Sequence, residues 1–566
     1  MSERRYLSAP VHLTGKLYPG QLSGLVALDV LRRGRGEQDA PWNVVTLAGG
    51  LAGQYALERE LLREGHDRAS LGRDQFADRT AEAESRWVQG LEELFVGLNL
   101  DVALPSEQDV AQLERAARVA FVRLYESGLL ERTQQVVVAC PRCETVVDDA
   151  ESDLFETNAQ EWDLTIIPDE LVVRSTALEL LLGTVAIAVP VGHTLIGSEV
   201  DLPVSERRVP VVVGEVDQPV LLVPGHDATA QEPARRAGQQ PIRVFDLEGN
   251  VIIAGPFVGL ARYAARDAMR ERLEGAGLLA DAGTTTENVL RCRRCATALI
   301  PRLGTHWFLD ISDAKVKVTD AVREGAVQFA SADARDIFLG GTQGSDRWCL
   351  SHQLWSGLQV PVASCIDCGA KAVACELPGS CGSCMGTLVE DDGVLDTRFV
   401  GAVWPLALAG WPDKTREMDD QDEWILSAGR GGVVVWGLAM AALGSQLTGR
   451  IPFDRVLLNE DKGSPATPVA ITEFVGAVDE YGAATVRTAA LVGQFDFVWA
   501  AGVVSALTTP AQGSLDVGGL TSAWNQAMEA ELPAEAAQTL VAAVEGGVDE
   551  SALSSVSALR KAMLGS

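Results

Sequence analysis

Eight of the ten cysteines in this 566-residue chain fall into four C-x-x-C pairs: Cys140 with Cys143, Cys292 with Cys295, Cys365 with Cys368, and Cys381 with Cys384. Zinc binds four thiolates at about 2.3 Å, and two residues between ligands let one tight turn present both sulfurs. Two such pairs close one tetrahedral site, so the count predicts two structural zinc ions. The run CIDCGAKAVACELPGSCGSC is a C-x2-C-x12-C-x2-C array that can close a site by itself, leaving Cys375 spare. Four thiolates leave no open position for catalysis, so the expected role is structural. The other two pairs, in CPRC and CRRC, can share a metal only if the chain between them returns to its start. That predicts an inserted domain clipped at its neck. Metal-free turns or redox dithiols are the alternative reading of the pairs. Cys349 stands outside any pair and reads as a small buried hydrophobe.

The elements around these pairs follow from periodicity. QYALERELLREG, GRDQFADRTAEAESRWVQGLEELF and QDVAQLERAARVAFVRLYESG carry apolar residues at helical spacing. QQVVVACPRCE is a strand running into the first knuckle. From about 151 to 285 the chain changes character. VAIAVPVG, VPVVVGEV and PVLLVPG are β-branched runs punctuated by Pro and Gly, which predicts a small β-rich domain. Gly431 to Gly449 is uncharged, but polar Ser445, Gln446 and Thr448 follow its dense apolar part, so a buried core helix is expected there, with no membrane span. The C-terminal end reads as a short Ala-rich helical tail.

Composition bounds the function. With 47 Lys+Arg against 78 Asp+Glu the net charge is −31, which excludes a general nucleic-acid coat. At 47% hydrophobic and 22% charged the chain is globular, and its length predicts three to four domains at about 150 residues each. The opening MSERRYLSAPVHLTG has no apolar run, which predicts no secretory leader. The ten cysteines are then expected in a reducing compartment, with the cytoplasm as the location.

In order and wording, LTGKLYPGQLSG, LAGQYALERELLREG, CPRCET, LLGTVAIAV, VPGHD, WFLDIS, WCLSHQLWSGLQVP, DTRFVGAVWPLALAGWP and EYGAATVR span most of residues 7 to about 500. This series resembles the class I aminoacyl-tRNA synthetases, and within them the valine enzymes of the valyl/isoleucyl/leucyl group. The resemblance implies an α/β fold: a Rossmann-like nucleotide-binding domain split by a β-rich editing-type insert, with zinc knuckles and a short helical C-terminal region. The expected division is 1–150 for the first half of that domain, 151–285 for the insert and 286–395 for the return to the core. It continues with 396–470 for the second half and 471–566 for a stem-like helical region. The helical anticodon-binding domain of the relatives is expected to be absent.

The family's reactive motifs are altered. Its H-x-G-H signature, two imidazoles that stabilise ATP phosphates, corresponds to Tyr18, Pro19, Gly20 and Gln21. At the K-M-S-K-S loop, Glu460 and Asp461 precede a single Lys462. The T-D-H-A-G block, whose aspartate pairs with the amino-acid ammonium, reads Thr46, Leu47, Ala48, Gly49, Gly50. A buried ammonium without a carboxylate partner costs several kcal/mol. The G-x-D block reads Gly429, Arg430, Gly431, and Arg398 replaces the tryptophan of D-T-W-F. In the insert, the T-R-P-E-T signature of editing reads Thr176, Ala177, Leu178, Glu179, Leu180. The later loop keeps Pro224, His226 and Asp227 but has Ala230 where a second aspartate is expected, and Leu221 and Val223 where lysine and threonine are.

What persists is scaffold: the zinc cysteines with Trp307, Trp348, Trp355, Trp404, Pro405 and Trp411. The leading expectation is a catalytically silent relative that binds or scaffolds, its partner a protein or a nucleotide in the remaining cleft. No catalytic residue is assigned. An alternative is a repurposed enzyme that still activates or transfers an aminoacyl group with ATP and magnesium. Its nucleotide contacts would be Lys16, Gly20, Gln21, Gly429 and Lys462, with His352 nearby. A third reading, a tRNA-binding editor or regulator, has only the clusters Arg32/Arg33/Arg35, Arg235/Arg236 and Arg291/Arg293/Arg294 behind it.

Overall fold

The structure, a computed structural model, describes residues 4–205, 207–413, 422–459 and 468–492 together with Ala500. Two compact units result. One is built from stretches within Met1–Glu131, Leu309–Leu350 and Trp355–Ser566, the other from Arg132–Phe308 with Ser351–Leu354.

The first unit is organised on a five-stranded sheet in the spatial order Gln328–Phe329, Arg455–Asn459, Glu423–Gly429, Arg4–Ser8, Trp42–Asn43. Every pairing is parallel. Distant parts of the sequence meet at its centre, where Leu7 lies opposite Leu426 and Ser8 opposite Ser427. The strand EWILSAG is buried at five consecutive positions. A parallel strand covered on both faces takes that continuous pattern, with no alternation.

Helices cover this sheet. Pro19 opens Pro19–Gly34, where a missing N–H leaves no helical hydrogen bond unmade. Leu22, Leu25, Val26 and Leu28 bury its inner side. The helical runs read from the sequence are present as Gly50–Arg63, Arg68–Gly97 and Glu107–Glu126, the second broken at Gly72, whose φ is +75°. Phe76, Trp87, Leu91 and Leu94 from the second join the helix Ile471–Tyr481 in one core.

The apolar run forms a continuous helix over Arg430–Thr448 with a π turn at Val433–Gly437. Among the described residues it is the one helix long and apolar enough to cross a membrane by length and composition, and half of its apolar window is buried. It packs on the helices Ser312–Arg323, Ala332–Gly341 and Thr397–Ala402 through residues such as Val433, Met440 and Leu443. Of the expected C-terminal helical region, Ile471–Tyr481 and Ala483–Val492 are described.

The second unit is β-rich. The strands Ser152–Ile167 and Leu279–Cys292 run antiparallel from Ser152 opposite Cys292 to Leu164 opposite Leu279. They form a long two-stranded ribbon leading into and out of the insert, joined by Leu171–Ser175. A four-stranded sheet follows in the order Glu199–Asp201, Arg208–Val213, Ala186–Val189, Val220–Leu222. The helix Arg262–Gly275 closes its core with Ala265, Met269 and Leu273.

Candidate functional site

The four cysteine knuckles are one turn repeated. In each, the residue after the second cysteine takes a left-handed φ: Glu144 at 54°, Ala296 at 59°, Gly369 at 71° and Met385 at 61°. Its N–H donates to the carbonyl of the first cysteine at 2.8–3.0 Å. Amides also point at sulfur, Cys143 N–H at Cys140 Sγ and Ser383 N–H at Cys381 Sγ, both at 3.4 Å. The turns gather Cys140, Cys143, Cys292 and Cys295 into one tetrad and Cys365, Cys368, Cys381 and Cys384 into another. Sulfur separations include 3.4 Å for Cys140–Cys295 and 3.7 Å for Cys143–Cys295. The second tetrad has 3.5 Å for Cys365–Cys384 and 3.7 Å for Cys368–Cys381. A tetrahedron with zinc–sulfur bonds of 2.3 Å has edges of about 3.8 Å, so both tetrads fit zinc.

Of the residues matched to the nucleotide site, Gly429 lies at the carboxyl end of the parallel sheet, and Lys16, Gly20 and Gln21 follow its first strand. Binding crevices of such sheets form at that end. Gly429 ends its strand in register with Asn459. Gly20 and Gln21 sit in the first turn of Pro19–Gly34, and Gln21 Oε1 accepts the Tyr18 N–H at 3.0 Å. The Gln21 oxygen thus closes the helix start on itself. Lys16 is exposed, on a short strand opposite Ala470. Arg430 is ion-paired with Asp333. Lys462, Glu460 and Asp461 lie outside the described residues. Arg398 stacks on Trp348 at 4.5 Å. His352, in the second unit, is buried with Nδ1 at 3.0 Å from the Val146 carbonyl.

Beside the Thr46–Gly49 loop of the first unit is a cavity of about 910 Å³. Gly49 and Gly50 have φ of +65° and +66°, and a Cβ on Gly49 would stand 2.7 Å from the Gly357 nitrogen. Only glycines let these two loops touch, and Gly50 N–H donates to the Ser356 carbonyl at 3.0 Å. Gly49 N–H donates to Glu84 Oε1 at 2.9 Å. Burial pushes the Glu84 carboxyl up, the Gly49 amide offsetting part of that. Trp355 forms another wall, its ring held by the guanidiniums of Arg68 and Arg73 at 5.0 and 5.1 Å.

In the insert, every matched editing residue is engaged in internal structure. Glu179 is buried and bound by Arg262 at 2.8 Å and Arg266 at 2.6 Å. Burial alone would push its carboxyl up, but the hydrogen bond from Arg266 and the charges of both arginines bring it below the usual carboxylate range. Thr176 hydrogen-bonds Glu287, and Asp227 Oδ1 accepts from the N–H and hydroxyl of Thr229. His226 lies between the Val244 N–H at 2.9 Å and the Pro301 carbonyl at 2.6 Å.

Most arginines of the basic clusters are engaged within the chain. Arg32 donates to the carbonyls of Gln38, Ala40 and Asp101, and Arg33 pairs with Asp29. Arg235 and Arg236 share Glu232, Arg293 pairs with Asp153 and Arg294 with Glu151. Sequence reasoning missed Glu84. Its signal was helical spacing, since Ala77, Ala81, Glu84 and Val88 all line the cavity from one helix.

A family model described as tRNA synthetases class I (I, L, M and V) matches residues 6–377. The chain is similar to the valine-tRNA ligase of Pseudothermotoga lettingae, 30% identical over 473 residues that cover 80% of this chain and 55% of that protein. With the valine-tRNA ligase of Thermotoga maritima it shares 30% identity over 511 residues, 84% of this chain and 58% of that protein. It thus spans little more than half the length of these curated relatives. Among solved structures, Mycobacterium tuberculosis methionyl-tRNA synthetase bound by methionyl-adenylate is similar over 96% of this chain and 82% of that one, at 10% identity and a TM-score of 0.49.

Proposed function

Because the chain belongs to the class I tRNA synthetase family of the isoleucine, leucine, methionine and valine enzymes, we propose that it is a valyl-tRNA synthetase-like protein that forms no adenylate and serves as a binding or scaffolding component. The observation that carries this reading is the start of the helix Pro19–Gly34. Helix N-termini bind phosphate through free N–H groups and the dipole, and the family adds two imidazoles there. Here the positions hold Tyr18 and Gln21, neither of them an imidazole, and the Gln21 carbonyl oxygen is taken by the Tyr18 amide. Arg430, a cation at the same end of the sheet, is answered by Asp333. Each lost oxyanion donor is worth roughly 3 kcal/mol of transition-state stabilisation, so losing both imidazoles slows adenylate formation by several powers of ten.

The insert supports the same reading for hydrolysis, because Thr176, Glu179, His226 and Asp227 are all spent on holding the fold. A protein is the partner class this reading favours. The second cysteine module exposes Ile366, Met385 and Val389 at 66%, 75% and 53%, while Arg33, Arg235, Arg236, Arg293 and Arg294 of the basic clusters are ion-paired within the chain. The test is pyrophosphate exchange with ATP, magnesium and each of the twenty amino acids. No exchange above the protein-free rate is expected, and robust exchange with any amino acid overturns the proposal.

A further inference from the structure

The second cysteine module folds as a small antiparallel sheet in the order Lys371–Val373, Val362–Cys365, Leu388–Glu390. The strand Leu388–Glu390 is an edge, paired with Val362–Cys365 and with no other described strand. The Ile366 N–H donates to the Thr387 carbonyl at 3.1 Å, and the Asp391 N–H to the Val362 carbonyl at 2.8 Å. Thr387, Val389 and Asp391 thus turn their backbone groups inward. By alternation, Leu388 and Glu390 turn theirs outward, away from the sheet. An open edge of this kind is a template for another strand.

The face beside the edge is apolar. Val389 stands opposite Ser364, and in the same register Thr387 stands opposite Ile366, so Val389 and Ile366 share one side of the sheet. Both are more than half exposed, as is Met385 in the adjoining knuckle turn. Apolar side chains scattered singly over a surface are ordinary. Gathered beside an open edge, they give an added strand somewhere to bury its own.

Charge identifies what docks there. Residues 360–395 hold Asp367, Glu376, Glu390, Asp391 and Asp392 against Lys371 alone, which lies on the far strand. Glu390 and Asp392, on and just after the edge strand, are exposed, with Arg73 4.0 Å from Asp392. Four thiolates on one divalent zinc leave the tetrad two further negative charges. A second copy of this chain, at −31, is repelled. So are residues 493–566 of the same chain, with eight acids against Arg560 and Lys561. An acidic edge turns away acidic strands and favours a basic one.

We propose that Leu388–Glu390 is a docking edge for an extended, lysine- or arginine-rich segment of another protein, which adds as a further strand. Its backbone pairs with Leu388 and Glu390, its apolar side chains lie against Val389, and its cations meet Glu390 and the neighbouring acids. This rests on the reading of the chain as a binding component and names the chemistry of its partner. Pyrophosphate exchange tests that reading alone. A chain that exchanges nothing and binds no basic peptide loses this docking edge and keeps the reading.

Labelled peptides KVKVKVK, KSKSKSK and EVEVEVE, titrated by fluorescence anisotropy into the full zinc-loaded chain, separate charge from apolar contact. KVKVKVK is expected to bind at least tenfold more tightly than KSKSKSK, and EVEVEVE not at all. Ile366→Ser with Val389→Ser should bring the two lysine peptides within about twofold. Glu390→Lys should weaken KVKVKVK at least fivefold, whereas Glu92→Lys, the same charge change on an exposed helix position, should leave it within twofold. Strand addition uses alternate amides, so N-methylation of either the valine or the lysine amides should abolish binding while the other set is tolerated. Equal affinity for the two lysine peptides, equal loss in Glu390→Lys and Glu92→Lys, or equal effects of the two N-methylated sets would overturn the proposal. So would no binding of KVKVKVK at millimolar concentration. Zinc content by atomic emission checks the folding of the double variant; if its second zinc is lost, the native chain, Glu390→Lys and the N-methylated peptides decide.

Discussion

At the scale of the residue, His226 illustrates how a chemical group becomes a structural one. The Val244 N–H can only donate, so Nε2 accepts; the Pro301 carbonyl can only accept, so Nδ1 carries the proton. Both ring nitrogens are committed to the neutral form. Burial pushes the imidazole down to about 4 from its ordinary 6.5. Between those values the unfolded chain takes up a proton that the folded chain refuses, so stability present above pH 6.5 is lost as pH falls toward 4. The loss is on the order of 3 kcal/mol. Glutamine can make the same two hydrogen bonds without titrating. In urea unfolding of the full chain at pH 7.5 and 4.5, His226→Gln should reduce the acid destabilisation by about 2–3 kcal/mol; His306, also pushed down to about 4 by burial, and the arginine-paired carboxylates such as Glu179 account for further loss. The histidine was visible in the motif PGHD. Its partners were not, because Val244 and Pro301 are 18 and 75 residues away.

At the scale of the element, the helix Ala483–Val492 is anchored by one ion pair. The Arg487 guanidinium is fully buried, donating to Asp29 at 2.6 Å and to the Leu98 carbonyl at 3.2 Å. Asp29, on the helix Pro19–Gly34, also receives Arg33. Burial lowers the affinity of Arg487 for its proton, and the Asp29 charge raises it. Removing one partner strands the other's charge in a dry interior, a loss of about 3–5 kcal/mol. Asp29→Ala should therefore lower the unfolding free energy by that amount. The double variant Asp29→Ala with Arg487→Met should recover most of it, since an apolar pair replaces the stranded charge. Thermal and urea unfolding of the four proteins measure the coupling. Helical character near Ala483–Val492 was legible in the C-terminal region, as were the runs behind Gly50–Arg63 and Glu107–Glu126, while the helix Pro19–Gly34 was not read from the sequence. That a motif arginine near residue 487 reaches a carboxylate near residue 29 was not, because helical period says which side is apolar and nothing about which helix meets it.

At the scale of the whole molecule, the two thiol tetrads differ in what they enclose. The first joins cysteines up to 155 residues apart, the second cysteines up to 19 apart. Closing the longer loop removes more freedom from the unfolded chain, by about 2 kcal/mol on chain-entropy grounds. The expected outcomes are two zinc ions per chain by atomic emission, one in Cys295→Ser and one in Cys384→Ser, with Cys295→Ser the more destabilising by about that amount. The sequence by itself determined what is local or counted. The C-x-x-C spacing foretold four like turns, and eight thiols in four pairs foretold two tetrads able to hold a metal, whereas the buried parallel strand EWILSAG went unread. Motif order pointed to the family that the family model then matched over residues 6–377. Only the tertiary structure decided which carboxylates have counter-ions. Glu179 meets two arginines 83 and 87 residues on, Asp29 meets one 458 residues on, and Glu84 meets an amide and an open cavity. Charge type is written in one residue, whereas the field that charge feels depends on every segment the fold brings within a few ångströms of it.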